Sequence, residues 1–249
     1  MNRPVPLVTT TWGHGPHRAL LLHGLTSAAT TWWRVGPAIA ALGYTVTAPD
    51  LRGHGKSPAG DSLSIEAHRG DVGLLGDGWD LLVGHSLGGT IAAALVDANP
   101  DFTRSVIYED PATDWDAASE FVMESPELVG LATAADIAAA HPAWHHNDVR
   151  YKVEALHSCR PDVEVRTVAD VERRDIWSAM LKADLPSLVI AADTAVVSLV
   201  SEAQEAQAVG HSLQVVRIAG AGHSVHRDAP AEFMALVEGF VSASTGLIR

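Results

Sequence analysis

The fold of this chain is constrained most by one sequence feature. A short apolar strand leads through a serine flanked by glycines directly into a helix. Residues 79–83 read WDLLV, residues 84–88 read GHSLG, and the small apolar run TIAAALV follows at residues 90–96. A serine on so tight a turn needs glycine two positions to either side, because side chains there would collide as the chain reverses. The hydroxyl then points out of the sheet at the positive end of the helix dipole. Ser86 is therefore predicted to be a nucleophile.

The length and composition of the chain favour one large α/β domain with a sizeable core. Of the 249 residues 47% are hydrophobic, and no apolar stretch approaches the roughly 20 residues of a membrane span. The formal net charge of −13 disfavours nucleic acids and anionic membranes as partners. The lone cysteine, Cys159, excludes an intramolecular disulfide, and residues 1–6 show no secretory signal. We therefore expect a cytoplasmic protein whose partner is a small molecule.

Short, non-alternating apolar runs rich in Val, Ile and Leu predict strands that are buried on both faces of a parallel sheet. These runs cover residues 19–22, 44–48, 81–83, 105–108, 188–191 and 213–218, and helical patterns cover residues 30–42, 65–75, 86–98, 200–209 and 230–242. The alternation predicts a doubly wound, mostly parallel sheet, to which residues 5–11 add an antiparallel edge strand.

The alternation of strands and helices stops in the middle of the chain. Residues 119–122, 134–140 and 148–156 have helical patterns, and no further strand is indicated until residue 186. A long helical stretch of this kind predicts an insertion that sits over the sheet. We assign residues 112–182 to this insertion and residues 1–111 and 183–249 to the core.

Four motifs in this order and spacing resemble those of the α/β-hydrolase superfamily. They are HGL at residues 23–25, DLRGHGKS at residues 50–57, the GHSLG turn at residues 84–88 and GAGHS at residues 220–224. The resemblance extends over nearly the whole chain. It implies the α/β-hydrolase fold, and it identifies the helical insertion as the cap that shapes the substrate pocket in this family.

The resemblance also implies roles for individual residues. His223 occupies the position of the family's general base, which takes the proton of the serine hydroxyl. The backbone N–H groups of Leu25 and Leu87 correspond to the family's oxyanion hole. His226 is expected at the surface or at the pocket rim, and His85 is expected to point away from the nucleophile and to pack.

The acid that orients the base is absent from its usual place. The family's aspartate, in a Gly-X-X-Asp arrangement after the strand that follows the cap, aligns with Ala195. In one alternative the acid lies at the end of the preceding strand: counting from the strand start favours Asp110, and counting back from the next proline allows Glu109. In a second, Asp193 reaches the base from two positions earlier. In a third, the chain has no acid at all.

A metal site can be imagined in the predicted cap from His141, His145 and Asp148. Pro142 interrupts the helical spacing of these residues, and the family needs no metal for hydrolysis. We therefore expect neither a metal nor another cofactor.

The expected reaction is hydrolysis of a small or medium carboxylic ester or lactone through an acyl-enzyme on Ser86. A serine at the turn argues against the haloalkane dehalogenase and epoxide hydrolase branches, which carry aspartate there. Hydrolysis of a carbon–carbon bond in a β-diketone and cofactor-free haloperoxidase chemistry are the enzymatic alternatives. The alternative from a different class is a ligand receptor on a hydrolase scaffold. Ala195 favours it, because an alanine at the position of the family's acid cannot orient the base. The oligomeric state is left open.

Overall fold

In the computed structural model, which describes residues 3–124 and 130–246, seven strands form one sheet. The strands are β1 (Thr9–Trp12), β2 (His17–Leu22), β3 (Tyr44–Pro49), β4 (Leu81–His85), β5 (Val106–Glu109), β6 (Ser187–Ala191) and β7 (Leu213–Arg217). Their order across the sheet is β1-β3-β2-β4-β5-β6-β7. Only β1 pairs antiparallel, and it does so with β3 at the edge. The predicted doubly wound, mostly parallel sheet is confirmed.

Helices cover both faces of the sheet and the segment between β5 and β6. They are α1 (Val35–Ala41), α2 (Ile65–Gly73), α3 (Leu87–Ala98), α4 (Trp115–Glu124), α5 (Ala134–Ala140), α6 (His146–Ser158), α7 (Val163–Asp170), α8 (Ile176–Lys182), α9 (Glu202–Gln207), α10 (Val225–Asp228) and α11 (Pro230–Gly246). One apolar core lies between the sheet and α2, α3 and α8. A second core lies on the opposite face, against α1 and α11. None of the helices in the described ranges combines the length and apolar character that crossing a bilayer requires.

Two predicted elements differ from the structure for identifiable reasons. The predicted strand over residues 5–11 shrinks to β1, because side chains take the earlier backbone donors: the Val5 N–H donates to Asp71 and the Val8 N–H to Ser57. The predicted helix over residues 30–42 divides into a 3₁₀ turn, Ala29–Trp32, and α1. Pro37 then falls in the first turn of α1, where its missing N–H costs no helical hydrogen bond.

The segment between β5 and β6 contains helices α4 to α8 and no strand among its described residues. Helix α6 is anchored to the core, because the buried Asp148 carboxylate accepts from Trp33 Nε1 at 2.7 Å and from Arg34 at 3.2 Å. Helix α8 packs on α3 beside the sheet through Trp177 and Met180. The extent of the cap, residues 112–182, stays a prediction.

Candidate active site

The serine turn has a strained backbone at the end of a buried strand. β4 ends at His85, α3 begins at Leu87, and Ser86 between them has φ 52° and ψ −116°. A non-glycine residue with positive φ persists only where its surroundings hold it. Here the Ser86 N–H donates to the Glu109 carbonyl oxygen at 2.9 Å, which ties the turn to β5.

The two glycines of the serine turn are required by close backbone contacts. A Cβ on Gly84 would lie 2.4 Å from the Gly88 oxygen, and a Cβ on Gly88 would lie 2.2 Å from the Leu22 oxygen. Either separation is far inside van der Waals contact. The predicted reason for the glycine spacing is therefore visible in the structure.

The loop between β7 and α10 brings His223 to a buried carboxylate at the end of β5. His223 Nδ1 lies 2.6 Å from Asp110 Oδ2. Asp110 also accepts from the Ser198 hydroxyl at 2.6 Å and from the N–H groups of Leu199 and Ala192 at 3.0 and 3.2 Å. These donors fix the carboxylate, which in turn fixes the imidazole ring. The His223 tautomer with a proton on Nδ1 is the one this contact selects.

The surroundings of Asp110 keep it ionised. Burial raises the pKa of Asp110. The hydrogen bond and charge of His223, with the hydrogen bonds from Ser198 and Leu199, outweigh burial and hold this pKa below its usual value. A carboxylate in this state can both orient an imidazole and stabilise an imidazolium.

The other two acids proposed for this role contact different groups. Glu109 accepts from His226 Nδ1 at 2.7 Å and from the His226 N–H at 2.8 Å. Asp193 accepts from the N–H groups of Gly220 and Ala195. The structure therefore brings Asp110 to His223, and brings neither Glu109 nor Asp193 there.

The expectation for His226 is wrong, and the expectation for His85 is right about packing, since His85 is buried, but wrong about direction. His226 is 4% exposed, because its partner Glu109 is buried in the core, so it lies neither at the surface nor at the pocket rim. His85 does not point away from the site: its ring centroid lies 4.8 Å from that of His223, and its Nε2 donates to the His223 carbonyl oxygen at 3.0 Å. Burial lowers the pKa of both His85 and His226, which favours their neutral forms.

The proposed oxyanion donors belong to two segments that meet beside Ser86. Leu87 is the first residue of α3, so its N–H has no carbonyl partner within the helix. In the described residues no hydrogen bond of the Leu25 N–H is found. The following residue, Thr26, has φ 57°, and its N–H donates to His54 Nε2. Burial lowers the pKa of His54 to about 4, so this histidine is neutral and holds the loop as a hydrogen-bond acceptor.

A cavity of about 720 Å³ opens above Ser86 and His223. Its apolar wall includes Leu25, Leu87, Trp115, Phe121, Ile137 and Leu199, and its charged residues are Asp136, Lys152, Glu164, Arg227 and Asp228. The carboxyl end of the sheet and the helices between β5 and β6 both contribute to this wall. The cavity can therefore take a small, largely apolar molecule with one or more polar groups.

The metal ligands imagined in the cap serve other contacts. Asp148 is bonded to Trp33 and Arg34, and the ring of His141 stacks on Trp144 at 3.8 Å. In the part of the chain that the structure describes, the residues that could hold a metal ion are instead His85, Glu109 and His226, whose ligand atoms lie within 4.8 Å of one another.

The sequence matches a family model, described as the Alpha/beta hydrolase family, over residues 19–236. The chain belongs to the alpha/beta hydrolase family. A crystal structure of E-2-(acetamidomethylene)succinate hydrolase shares the fold of this alpha/beta hydrolase, with a TM-score of 0.79, 24% identity and 96% of each chain covered.

Curated relatives match different shares of this alpha/beta hydrolase. Lipase LipV of Mycobacterium tuberculosis is 33% identical over 129 residues, which are 48% of this chain and 49% of the lipase. The chain thus spans about half the length of that relative. The N-formylmaleamate deformylase of Pseudomonas putida is 26% identical over 247 residues, which are 92% of this chain and 90% of the deformylase.

Sequence reasoning missed two cations on the cavity wall of this alpha/beta hydrolase. Lys152 Nζ donates to Thr26 Oγ1 at 2.9 Å, and Arg227 donates to Ser27 Oγ at 3.2 Å. Both cations are almost fully buried, and both contact the residues that follow Leu25. Arg227 stands four residues after His223, which is the one signal in the sequence that could have pointed to it. No signal in the sequence pointed to Lys152, because it reaches the cavity only through the packing of helix α6.

Proposed function

We propose that this chain is a serine hydrolase that cleaves a small or medium carboxylic ester or lactone through an acyl-enzyme on Ser86. The observation that carries the proposal is the 2.6 Å contact between His223 Nδ1 and the buried Asp110 carboxylate, in the wall of the cavity that Ser86 also lines. A nucleophile, a base and an acid that orients the base are the parts that acyl transfer requires.

The tautomer of His223 determines the direction of proton transfer. With its Nδ1 proton donated to Asp110, the ring keeps the Nε2 lone pair for the Ser86 hydroxyl proton. Ser86 Oγ then attacks the carbonyl carbon, and the resulting imidazolium is stabilised by Asp110. His223 returns the proton to the leaving alcohol, and an acyl group remains on Ser86.

The oxyanion of each tetrahedral intermediate needs donors that are in place beforehand. The Leu25 and Leu87 N–H groups supply them, and the helix dipole of α3 adds to the stabilisation at its N-terminus. In the second half of the reaction His223 takes a proton from water, whose oxygen attacks the acyl carbon. The bond from the acyl carbon to Ser86 Oγ then breaks, His223 returns the proton to Oγ, and the acid leaves.

A second candidate is hydrolysis of an N-acyl group on a substrate that bears carboxylates. Two proteins similar to this chain over more than 90% of its length are named for N-formylmaleamate and 2-(acetamidomethylene)succinate, which are anions with an N-acyl group. The cavity cations Lys152 and Arg227 favour this candidate, because an ammonium and a guanidinium both bind carboxylates.

Turnover of a substrate panel tests both candidates. The panel contains p-nitrophenyl esters of increasing acyl length, lactones, an N-acyl enamide with two carboxylates and a β-diketone, each assayed with wild type and with Ser86→Ala. Hydrolysis of esters or lactones that Ser86→Ala abolishes supports the first candidate, and turnover of the N-acyl dicarboxylate alone supports the second. Cleavage of the β-diketone alone, or binding without turnover of any member, would overturn both.

A further inference from the structure

A second carboxylate–histidine pair lies beside the first. Glu109 accepts from the His226 N–H at 2.8 Å with Oε1, and His226 Nδ1 lies 2.7 and 2.9 Å from the two carboxylate oxygens. Glu109 is fully buried and His226 is 4% exposed. The pair takes no part in the proton transfers that the proposed mechanism assigns to His223 and Asp110.

The two pairs are built from neighbouring residues on the same two segments. Glu109 ends β5 and Asp110 follows it, and His226 stands three positions after His223. Side chains of consecutive residues in a strand point to opposite faces. Asp110, however, follows the strand with φ 36°, a conformation that few non-glycine residues adopt. As a result the Asp110 carboxylate reaches His223 in the loop, while the Glu109 carboxylate reaches His226 in α10.

Glu109 joins the nucleophile to the segment that carries the base. Its main-chain oxygen accepts from the Ser86 N–H at 2.9 Å, while its side chain holds the first turn of α10 through His226. A second link runs in parallel, because His85 Nε2 donates to the His223 carbonyl oxygen at 3.0 Å. The His85 ring also contacts both His223 and His226, with centroids 4.8 and 5.4 Å away.

We propose that Glu109 and His226 are positioning residues that hold the His223 loop at its distance from Ser86. The proposal rests on the function proposed above for Ser86 and His223. Proton transfer from a hydroxyl to an imidazole depends steeply on distance, and a misplacement of about 1 Å can cost about 100-fold in rate. We call the Glu109–His226 pair the clamp. Its loss would therefore lower kcat and leave KM nearly unchanged, because Glu109 is not among the residues that line the cavity.

Three substitutions of Glu109 separate length from charge. Glu109→Gln keeps the side-chain length, and its amide can still accept from the His226 N–H and donate to Nδ1. Glu109→Asp keeps the carboxylate but withdraws it by one methylene. Glu109→Met keeps the volume and removes both hydrogen bonds. Positioning predicts a kcat within about 3-fold of wild type for Gln, about 10-fold lower for Asp and about 100-fold lower for Met.

Two variants of the same strand are matched controls. Ile107→Ala removes core packing on β5 without touching Glu109 or His226. Tyr108→Phe removes a buried hydroxyl for which the described residues offer no hydrogen-bond partner. Both are expected to keep the wild-type kcat, although Ile107→Ala lowers the melting temperature. A fall in kcat for Glu109→Met that Ile107→Ala does not share is therefore not a general effect of lost stability.

The experiment measures kcat, KM, the melting temperature and the rate at which a fluorophosphonate labels Ser86, all on the full chain. The proposal is overturned if folded Glu109→Met keeps the wild-type kcat, or if Glu109→Asp is as active as Glu109→Gln. The Asp and Gln comparison decides the question if the Met variant does not fold. No labelling of Ser86 in wild type would instead overturn the proposed function, so the two failures are distinguishable.

Discussion

Asp110 Oδ2 lies 2.6 Å from His223 Nδ1, although 113 positions separate the two residues in the chain. This contact places a buried carboxylate beside His223, whereas the position at which the family carries its acid holds Ala195. If it orients His223 for catalysis, the loss of its charge should slow the reaction far more than the loss of any other nearby carboxylate.

Asp110→Asn should lower kcat by about 10³- to 10⁴-fold, because the amide no longer selects the Nδ1-protonated tautomer or stabilises the imidazolium. Asp193→Asn is the matched control. Among the described residues its carboxylate bonds to the Gly220 and Ala195 N–H groups and not to His223, so we expect near wild-type turnover. Steady-state kinetics on the best substrate of the panel measure both. An Asp110→Asn variant within tenfold of wild type would contradict the assignment.

The positions of Ser86 and His223 could be predicted from sequence, because each lies in a short motif whose glycines reflect local sterics. For the carboxylate that contacts His223, the sequence favoured Asp110 but did not decide between it, Glu109 and Asp193. Glu109 and Asp110 are adjacent, and which of them faces His223 depends on the positive φ of Asp110. The groups that hold the Asp110 carboxylate in place, from Ser198, Leu199 and Ala192, are far along the chain.

The fold was predictable from the apolar runs and their order, since buried parallel strands have a distinctive composition. The burial of His226 was not predictable, because a histidine is as compatible with the surface as with a core that holds a partner carboxylate. Lys152 could not be predicted either, because its contact with Thr26 depends on how helix α6 packs against a segment distant in the chain.

Gly88→Ala should lower the free energy of unfolding by about 3 kcal/mol and abolish turnover, because its Cβ would lie 2.2 Å from the Leu22 oxygen. Gly239→Ala is the opposite case. It lies within α11 with no atom near its Cβ, so alanine should stabilise the helix by about 0.5–1 kcal/mol. Urea unfolding measures both changes. Equal stability of the two variants would be inconsistent with the close contact at Gly88.

Buried histidines should make the protein less stable as the pH falls below neutrality. Burial lowers the pKa of His68 from 6.5 to about 3. As the pH falls, this histidine therefore takes up a proton at a higher pH in the unfolded chain than in the folded protein. The stability from the neutral ring is fully present above pH 6.5 and is lost as the pH falls towards 3. Each such histidine contributes up to about 1.4 kcal/mol per pH unit.

His68→Met should therefore flatten the dependence of the free energy of unfolding on pH between neutrality and mild acid. His14→Met, which replaces an exposed histidine, is the control. Urea titrations at a series of pH values give the slopes directly. An unchanged slope for His68→Met would show that this ring is not held in its neutral form.

Asp148→Asn should loosen the anchor between α6 and the core and lower the free energy of unfolding by about 1–3 kcal/mol. The buried carboxylate accepts from both Trp33 and Arg34, and an amide can satisfy only one of these donors well. Glu154→Gln on the same helix changes only an exposed pair with Arg150 and should be neutral. Urea unfolding and the rate of limited proteolysis within α6 report the difference. Equal proteolysis of the two variants would exclude the anchor.

Covalent labelling by a fluorophosphonate, located by peptide mass spectrometry, reports directly whether Ser86 is an activated nucleophile. We expect one modified residue, Ser86, in the folded wild type. The labelling rate should fall strongly in His223→Ala and Asp110→Asn and stay at the wild-type value in Asp193→Asn. A folded wild type that resists the reagent at Ser86, or an Asp110→Asn variant labelled at the wild-type rate, would contradict this expectation.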